Sequence, residues 1–243
     1  METNTTEVWR VFGLTEPQIL EKLEPCLQNK HKIEFELLPL GINEFEVRMH
    51  YQPKSQFAIV DELKKRVVKL LEDNIYTNST DTLEELIVKV LAERDKKLCC
   101  VESFTGGLLT AAIVKVEGAG EVLTEGLVTY TNAAKVGRLG VDAATLERFG
   151  AVDIETVYEM AACTLMNTGV DYVMATTGNA GPTVDKKGKN SKIGKFFVAV
   201  GSADGVHVYP EYLPDHTRSE VMEYGVRCAL YRLYKKLTEN KIQ

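Results

Sequence analysis

The 243-residue chain has no apolar stretch near the roughly 20 residues that cross a bilayer, so no spanning helix is expected. Its first residues, Met1-Glu2-Thr3-Asn4-Thr5-Thr6-Glu7, lack the basic segment and apolar core of a secretory leader. Cysteine is sparse and odd in number: Cys26, Cys99, Cys100, Cys163 and Cys228, with no C-x-x-C pair. Such a set predicts reduced, buried thiols in a cytoplasmic protein, not a disulfide framework. Histidine is scarcer still, at His31, His50, His207 and His216, and no His or Cys pair has metal-ligand spacing. Neither a metal nor a cofactor is expected. There is no G-x-S-x-G elbow, no P-loop and no G-x-G-x-x-G, which argues against a Ser-His-Asp hydrolase and against the familiar nucleotide-binding loops. The net charge of −6 gives no general attraction to nucleic acid or to anionic membranes.

Glycine is nearly missing from one part of the chain. Residues 1–80 hold only Gly13 and Gly41. This part reads as a small α+β unit of order βαββα. A strand at Val8–Phe12 and a helix at Glu16–Leu27 are followed by strands at Ile33–Leu38 and Phe45–Tyr51. A helix at Gln56–Leu71 closes the unit. Phe45, Val47 and Met49 alternate with Glu46, Arg48 and His50, so each set takes its own face. The polar residues of 72–81 predict a linker, which divides the chain into domains 1–76 and 77–243.

The second domain alternates helices and strands. Helices are expected at 82–94, 106–116, 133–139, 143–149, from Asp153 to Asn167, and at 218–237. Strands are expected at 97–101, 122–129, 172–176, 195–201 and 206–213, the last two forming a hairpin. Such alternation predicts an α/β layered domain with a mixed sheet.

Between the strand at 97–101 and the next helix stands Val101-Glu102-Ser103-Phe104-Thr105-Gly106-Gly107. The Ser103 and Thr105 hydroxyls, and the N–H groups of Thr105, Gly106 and Gly107, fall at a helix N-terminus suited to a nucleophile, an oxyanion or a phosphate. The plain alternative is a helix cap followed by two glycines that allow close packing. A serine nucleophile needs a base. Tyr130 ends a strand at the side of the sheet where α/β proteins place their sites, and Lys135 follows five residues later. A desolvated lysine gives up its proton more easily and accepts one from a hydroxyl. Tyr130 then orients the pair or relays the proton; the alternative is a solvated lysine beside a capping aromatic.

Four blocks in order, V-E-S-F-T-G-G, G-L-V-T-Y-T-N-A-A-K, G-V-D-A-A-T-L-E-R-F-G-A-V and T-T-G-N-A-G-P, resemble the C-terminal domain of the CinA family across residues 99–236. That resemblance implies a metal-independent amidohydrolase that converts nicotinamide mononucleotide to nicotinate mononucleotide and ammonia. Residues 1–72 are similar to the family's small KH-like domain, and the molybdopterin-binding-like domain of full-length members is not matched. Carried onto this sequence, the resemblance makes Ser103 the nucleophile, with Tyr130 and Lys135 as its activating partners. It places Thr105, Gly106, Gly107, Asn132, Thr177, Gly178, Gly181 and Arg218 around the substrate. The expected ligand is a small pyridine nucleotide, with no nucleic acid and no membrane, in a homo-oligomer.

Three positions and one stretch depart from the family pattern. Phe104 stands where a small cysteine is usual, and its bulk either narrows the pocket or packs behind it. Asn179 replaces an aliphatic residue. The stretch 183–190 carries lysines in place of glycines, with Lys192 beyond it. Met222 stands where a basic residue is expected. A second class of reading is therefore a CinA-like binding or regulatory protein with impaired turnover. An RNA-binding role for residues 1–80 is not expected. They hold no G-x-x-G loop, and ten Lys and Arg stand against thirteen Asp and Glu.

Overall fold

Alternating apolar residues in the first third of the chain pack one face of a sheet onto two helices. The computed structural model describes residues 5–28, 33–184 and 192–239. The chain separates into two units, Met1–Thr82 and Leu83–Gln243. In the first, β1 (Thr5–Phe12), α1 (Glu16–Leu27), β2 (Glu34–Gly41), β3 (Glu44–Tyr51) and α2 (Pro53–Leu71) follow the expected βαββα order. Residues 75–77, expected in the linker, instead form a short strand, β4 (Ile75–Thr77), against β1. The sheet order is β2-β3-β1-β4, antiparallel throughout. Trp9, Val11, Phe45, Val47 and Met49 bury against Ile19 and Leu23 of α1 and Val60, Leu63, Val67 and Leu71 of α2. On the opposite face Glu46 is also buried, because Arg10 and Arg48 close over it at 3.0 and 2.6 Å. Burial alone pushes the Glu46 carboxyl up, but the Arg48 and Arg10 hydrogen bonds outweigh it and hold it below the usual carboxylate range.

The second unit is built on a five-stranded sheet of order β6-β5-β7-β8-β9. Its elements are α3 (Leu83–Glu93), β5 (Leu98–Glu102), α4 (Leu108–Val114), α5 (Ala119–Val122), β6 (Leu123–Val128) and α6 (Asn132–Ala134). A π-helical turn at Lys135–Leu139 leads to α7 (Ala143–Phe149), α8 (Ile154–Thr168), β7 (Tyr172–Gly178), β8 (Lys195–Ser202), β9 (Gly205–Tyr212) and α9 (Arg218–Glu239). Strands β6, β5 and β7 run parallel, whereas β8 and β9 are antiparallel to their neighbours. The sheet is therefore mixed, as expected.

Cys99, Val101, Val173, Ala175, Phe197 and Ala199 pack on one side with Val157, Met160 and Ala161 of α8. Alternation sends Phe196 to the other side, where its ring meets Tyr224 of α9 at 6.0 Å. Helices thus cover both faces, and the C-terminal ends of three parallel strands share one edge. All five cysteines are free, and burial, then Glu125, pushes the Cys99 thiol up to about 12. No helix among the described residues is long and apolar enough to cross a membrane.

Candidate active site

Ser103 continues β5 beyond its last paired residue, its N–H donating to Thr176 O of β7 at 3.1 Å. On the other side Thr129, just past β6, donates its N–H to Glu102 O at 2.7 Å. These bonds set Ser103 and Thr129 side by side. The chain then turns through α6, where Thr131 Oγ1 accepts from Ala134 N at 3.1 Å as a helix cap. The π-helical turn follows directly, a wide turn often found at functional sites. It opens on Lys135, which is 0% exposed. Lys135 Nζ donates to Ser103 Oγ at 2.9 Å and to Thr129 O at 2.8 Å. The structure therefore brings together a buried hydroxyl and a buried amine, and the solvated alternative for Lys135 is removed. Such a pair suits proton transfer from the serine to the lysine.

Tyr130 directly follows Thr129, but its hydroxyl has a different partner. It is 59% exposed, and its hydroxyl accepts from Arg218 Nη2 at 3.0 Å. Arg218 Nη1 donates to Gly181 O at 2.6 Å, so this arginine links the end of β6 to the loop after β7. Tyr130, expected as an activating partner, thus meets Gly181 and Arg218, both expected near the substrate, at one partly exposed latch. Asn132 is exposed at the start of α6. Thr177 is turned inward, its hydroxyl donating to Ala151 O at 2.6 Å, so that hydroxyl is not offered to a ligand.

The glycine turn needs a correction. Gly106 N–H donates to Ser103 O at 3.2 Å, and Gly107 N–H to Glu102 Oε2 at 2.9 Å. Neither amide is open to an oxyanion. Among the described residues the amides of Phe104 and Thr105 have no intramolecular hydrogen bond, so the unpaired donors lie directly after Ser103, on two buried residues. The Thr105 hydroxyl is buried, 2.8 Å from Thr176 Oγ1. The residue that the sequence reading missed is Glu102. Its carboxylate fills the N-terminus of α4 and is described further below.

Phe104 packs behind the site. Its ring centroid lies 5.3 Å from that of Phe196, and it is 3% exposed. Gly225 of α9 makes the room: a Cβ there would stand 2.4 Å from Phe104 Cζ. Gly225→Ala is therefore expected to destabilise the fold by about 1–3 kcal/mol through overpacking, although alanine is the better helix former by about 1 kcal/mol. In a Phe104→Leu background the sign should reverse. Thermal unfolding of the four variants checks this, and an unchanged penalty in both backgrounds would rule out the collision.

Met222 lies over Gly106, its Cε 3.7 Å from where a Cβ would stand. Asn179 is buried and exchanges backbone bonds with Lys195 and Gly194. Lys192 is exposed, and the run of lysines at 186, 187 and 189 lies outside the described residues, as does His31. Among the described residues no three His, Cys, Asp or Glu side chains gather as a metal-holding group.

A mixed α/β sheet with a buried serine–lysine pair at the ends of its parallel strands defines the class. Residues 80–237 match the family model of the CinA C-terminal domain, and the chain belongs to the CinA family. A competence-damage inducible protein of Caldicellulosiruptor saccharolyticus is 32% identical over 237 residues, covering 96% of this chain and 56% of that one. A CinA-like protein of Shewanella sediminis is 31% identical over 95% of this chain and 57% of its own length. The chain spans about half the length of these curated relatives. Among solved structures, a CinA superfamily protein from Enterobacter cloacae gives a TM-score of 0.60 at 31% identity, over 68% of this chain and 98% of that one. The competence/damage inducible protein CihA from Agrobacterium tumefaciens gives 0.58 at 33% identity, over 62% and 93%.

Proposed function

We propose that the chain hydrolyses the carboxamide of nicotinamide mononucleotide, with Ser103 as nucleophile and Lys135 as its base. The observation that carries this reading is the 2.9 Å contact between Lys135 Nζ and Ser103 Oγ, made by a lysine with no exposed surface. Taking an amine out of water favours its neutral form, and only the neutral amine accepts the serine proton. Thr129 O holds that amine in place. Ser103 Oγ attacks the carboxamide carbon as its proton passes to Lys135. The Phe104 and Thr105 amides receive the charge that develops on the carbonyl oxygen, an interaction typically worth several kcal/mol. Lys135 returns the proton to the departing nitrogen, ammonia leaves, and a nicotinoyl ester remains on Ser103. Water, deprotonated by the same lysine, then adds to the ester carbon and releases the acid and the serine.

Arg218 serves as the cation for the ribose phosphate. It exchanges its bond to Tyr130 for one to the anion, and Tyr130 acts at the pocket wall instead of orienting the pair or relaying the proton. Acid quenching during turnover should trap the acyl ester on Ser103, read by intact mass and peptide mapping. An ester on any other residue, or none in a mixture that is releasing ammonia, would refute the covalent route. The mechanism uses no metal. Exhaustive chelation is expected to leave the rate unchanged, and a loss reversed by added zinc or magnesium would refute it.

A further inference from the structure

Glu102 ends β5 and immediately precedes Ser103, and its side chain is completely buried. A carboxylate in such a place needs donors for its lone pairs. Oε2 accepts from Gly107 N at 2.9 Å and Leu109 N at 3.0 Å. Oε1 accepts from Thr110 N at 2.8 Å and Thr110 Oγ1 at 2.6 Å. The side chain thus reaches across the turn of residues 103–107 and grips its far end. The Glu102 main chain holds the near end, its carbonyl accepting from Thr129 N. Thr129 in turn holds Lys135 Nζ through its own carbonyl.

We infer that Glu102 is a positioning residue: its buried carboxylate closes the turn that carries Ser103 and so aims the nucleophile and the two unpaired amides. The inference rests on the serine–lysine reading of the site and adds a residue to it. It also explains why the N-terminus of α4 is closed to a ligand anion, since the protein's own carboxylate already fills it.

Glu102→Gln keeps size and removes the match. An amide offers one acceptor oxygen and one donor group, so its NH₂ faces either the two N–H donors of Gly107 and Leu109 or the Thr110 N–H, with only the Thr110 hydroxyl able to turn and accept. The turn should relax, with the loss falling on interactions made only in the transition state. The expected result is a fall in kcat of about a hundredfold with KM within about threefold. Thr110→Val removes one bond of the four and should give a smaller loss of the same kind, about three- to tenfold in kcat. It also keeps the inference testable where Glu102→Gln does not fold.

The second readout does not involve the nucleotide. Ser103 of the intact chain is labelled with a fluorophosphonate, in which an Oγ–P bond forms, fluoride leaves and Lys135 takes the proton. Labelling is followed well below each variant's unfolding temperature. The labelling rate should fall in parallel with kcat, which a purely structural role for Glu102 would not produce. A folded Glu102→Gln protein that labels and turns over at the parent rate would overturn the inference while leaving the serine–lysine reading intact. A parent protein that labels in a Lys135-dependent way but releases no ammonia from nicotinamide mononucleotide would instead sink the substrate assignment. The labelling series would still decide the role of Glu102.

Discussion

Lys135→Met is expected to abolish deamidation, by at least about 10⁴-fold in kcat, while leaving the fold intact. Methionine is similar in length and free of charge, and it fills the site where Lys135 has no exposed surface. Two effects on stability oppose each other. Burying an amine costs solvation that a thioether does not, but the change leaves Thr129 O without its 2.8 Å partner. Stability should therefore stay within about 2 kcal/mol of the parent. Ser103→Ala should be equally inactive, and the double variant no worse than either single, as expected of groups that act as a unit. Multiplying effects in that cycle would mean that the two side chains act separately, and large unfolding of Lys135→Met would mean that the lysine is structural.

The largest effect on stability is expected at Gly194, far from the nucleophile in sequence. Its φ is +81°, and a Cβ there would stand 2.0 Å from Leu213 O. Three chain segments meet at this point: Gly194 N donates to Asn179 O at 2.8 Å, and Leu213 N donates to Gly194 O at 2.9 Å. Backbone cannot step aside as a flexible side chain does, so Gly194→Ala should cost at least about 3 kcal/mol. For a unit of this size that lowers Tm by at least about 6 °C. Gly118 is the control. It shares a φ of +81° but has nothing within 4 Å of its Cβ position, so Gly118→Ala should cost only about 1 kcal/mol, the strain alone. Equal losses at the two positions, read by thermal unfolding, would show that backbone strain and not collision decides both.

Most strands and long helices were legible because their apolar residues repeat at 2.0 or 3.6. The pairing of Ser103 with Lys135 was implied by the family resemblance, whereas their places after two strands left the solvated lysine open. Other features depend on contacts that periodicity does not encode. β4 has three residues, too few to show alternation, and it exists because β1 offers an edge. The π-helical turn at 135–139 rests on wider hydrogen bonding, which no 3.6-residue pattern announces. Glu102 fell just past the expected strand at 97–101 with no role of its own, since only the sharp turn after it brings the amides at 107–110 within reach of its carboxylate. Tyr130 looked close to Lys135 in sequence, yet its hydroxyl meets Arg218, which lies 88 residues further on.

Ammonia release from nicotinamide mononucleotide, measured on the purified parent chain and on Ser103→Ala side by side, tests the central claim most directly. The expected result is stoichiometric formation of ammonia and nicotinate mononucleotide by the parent and none by the variant. No release by a folded parent protein, or equal release by both, would contradict it.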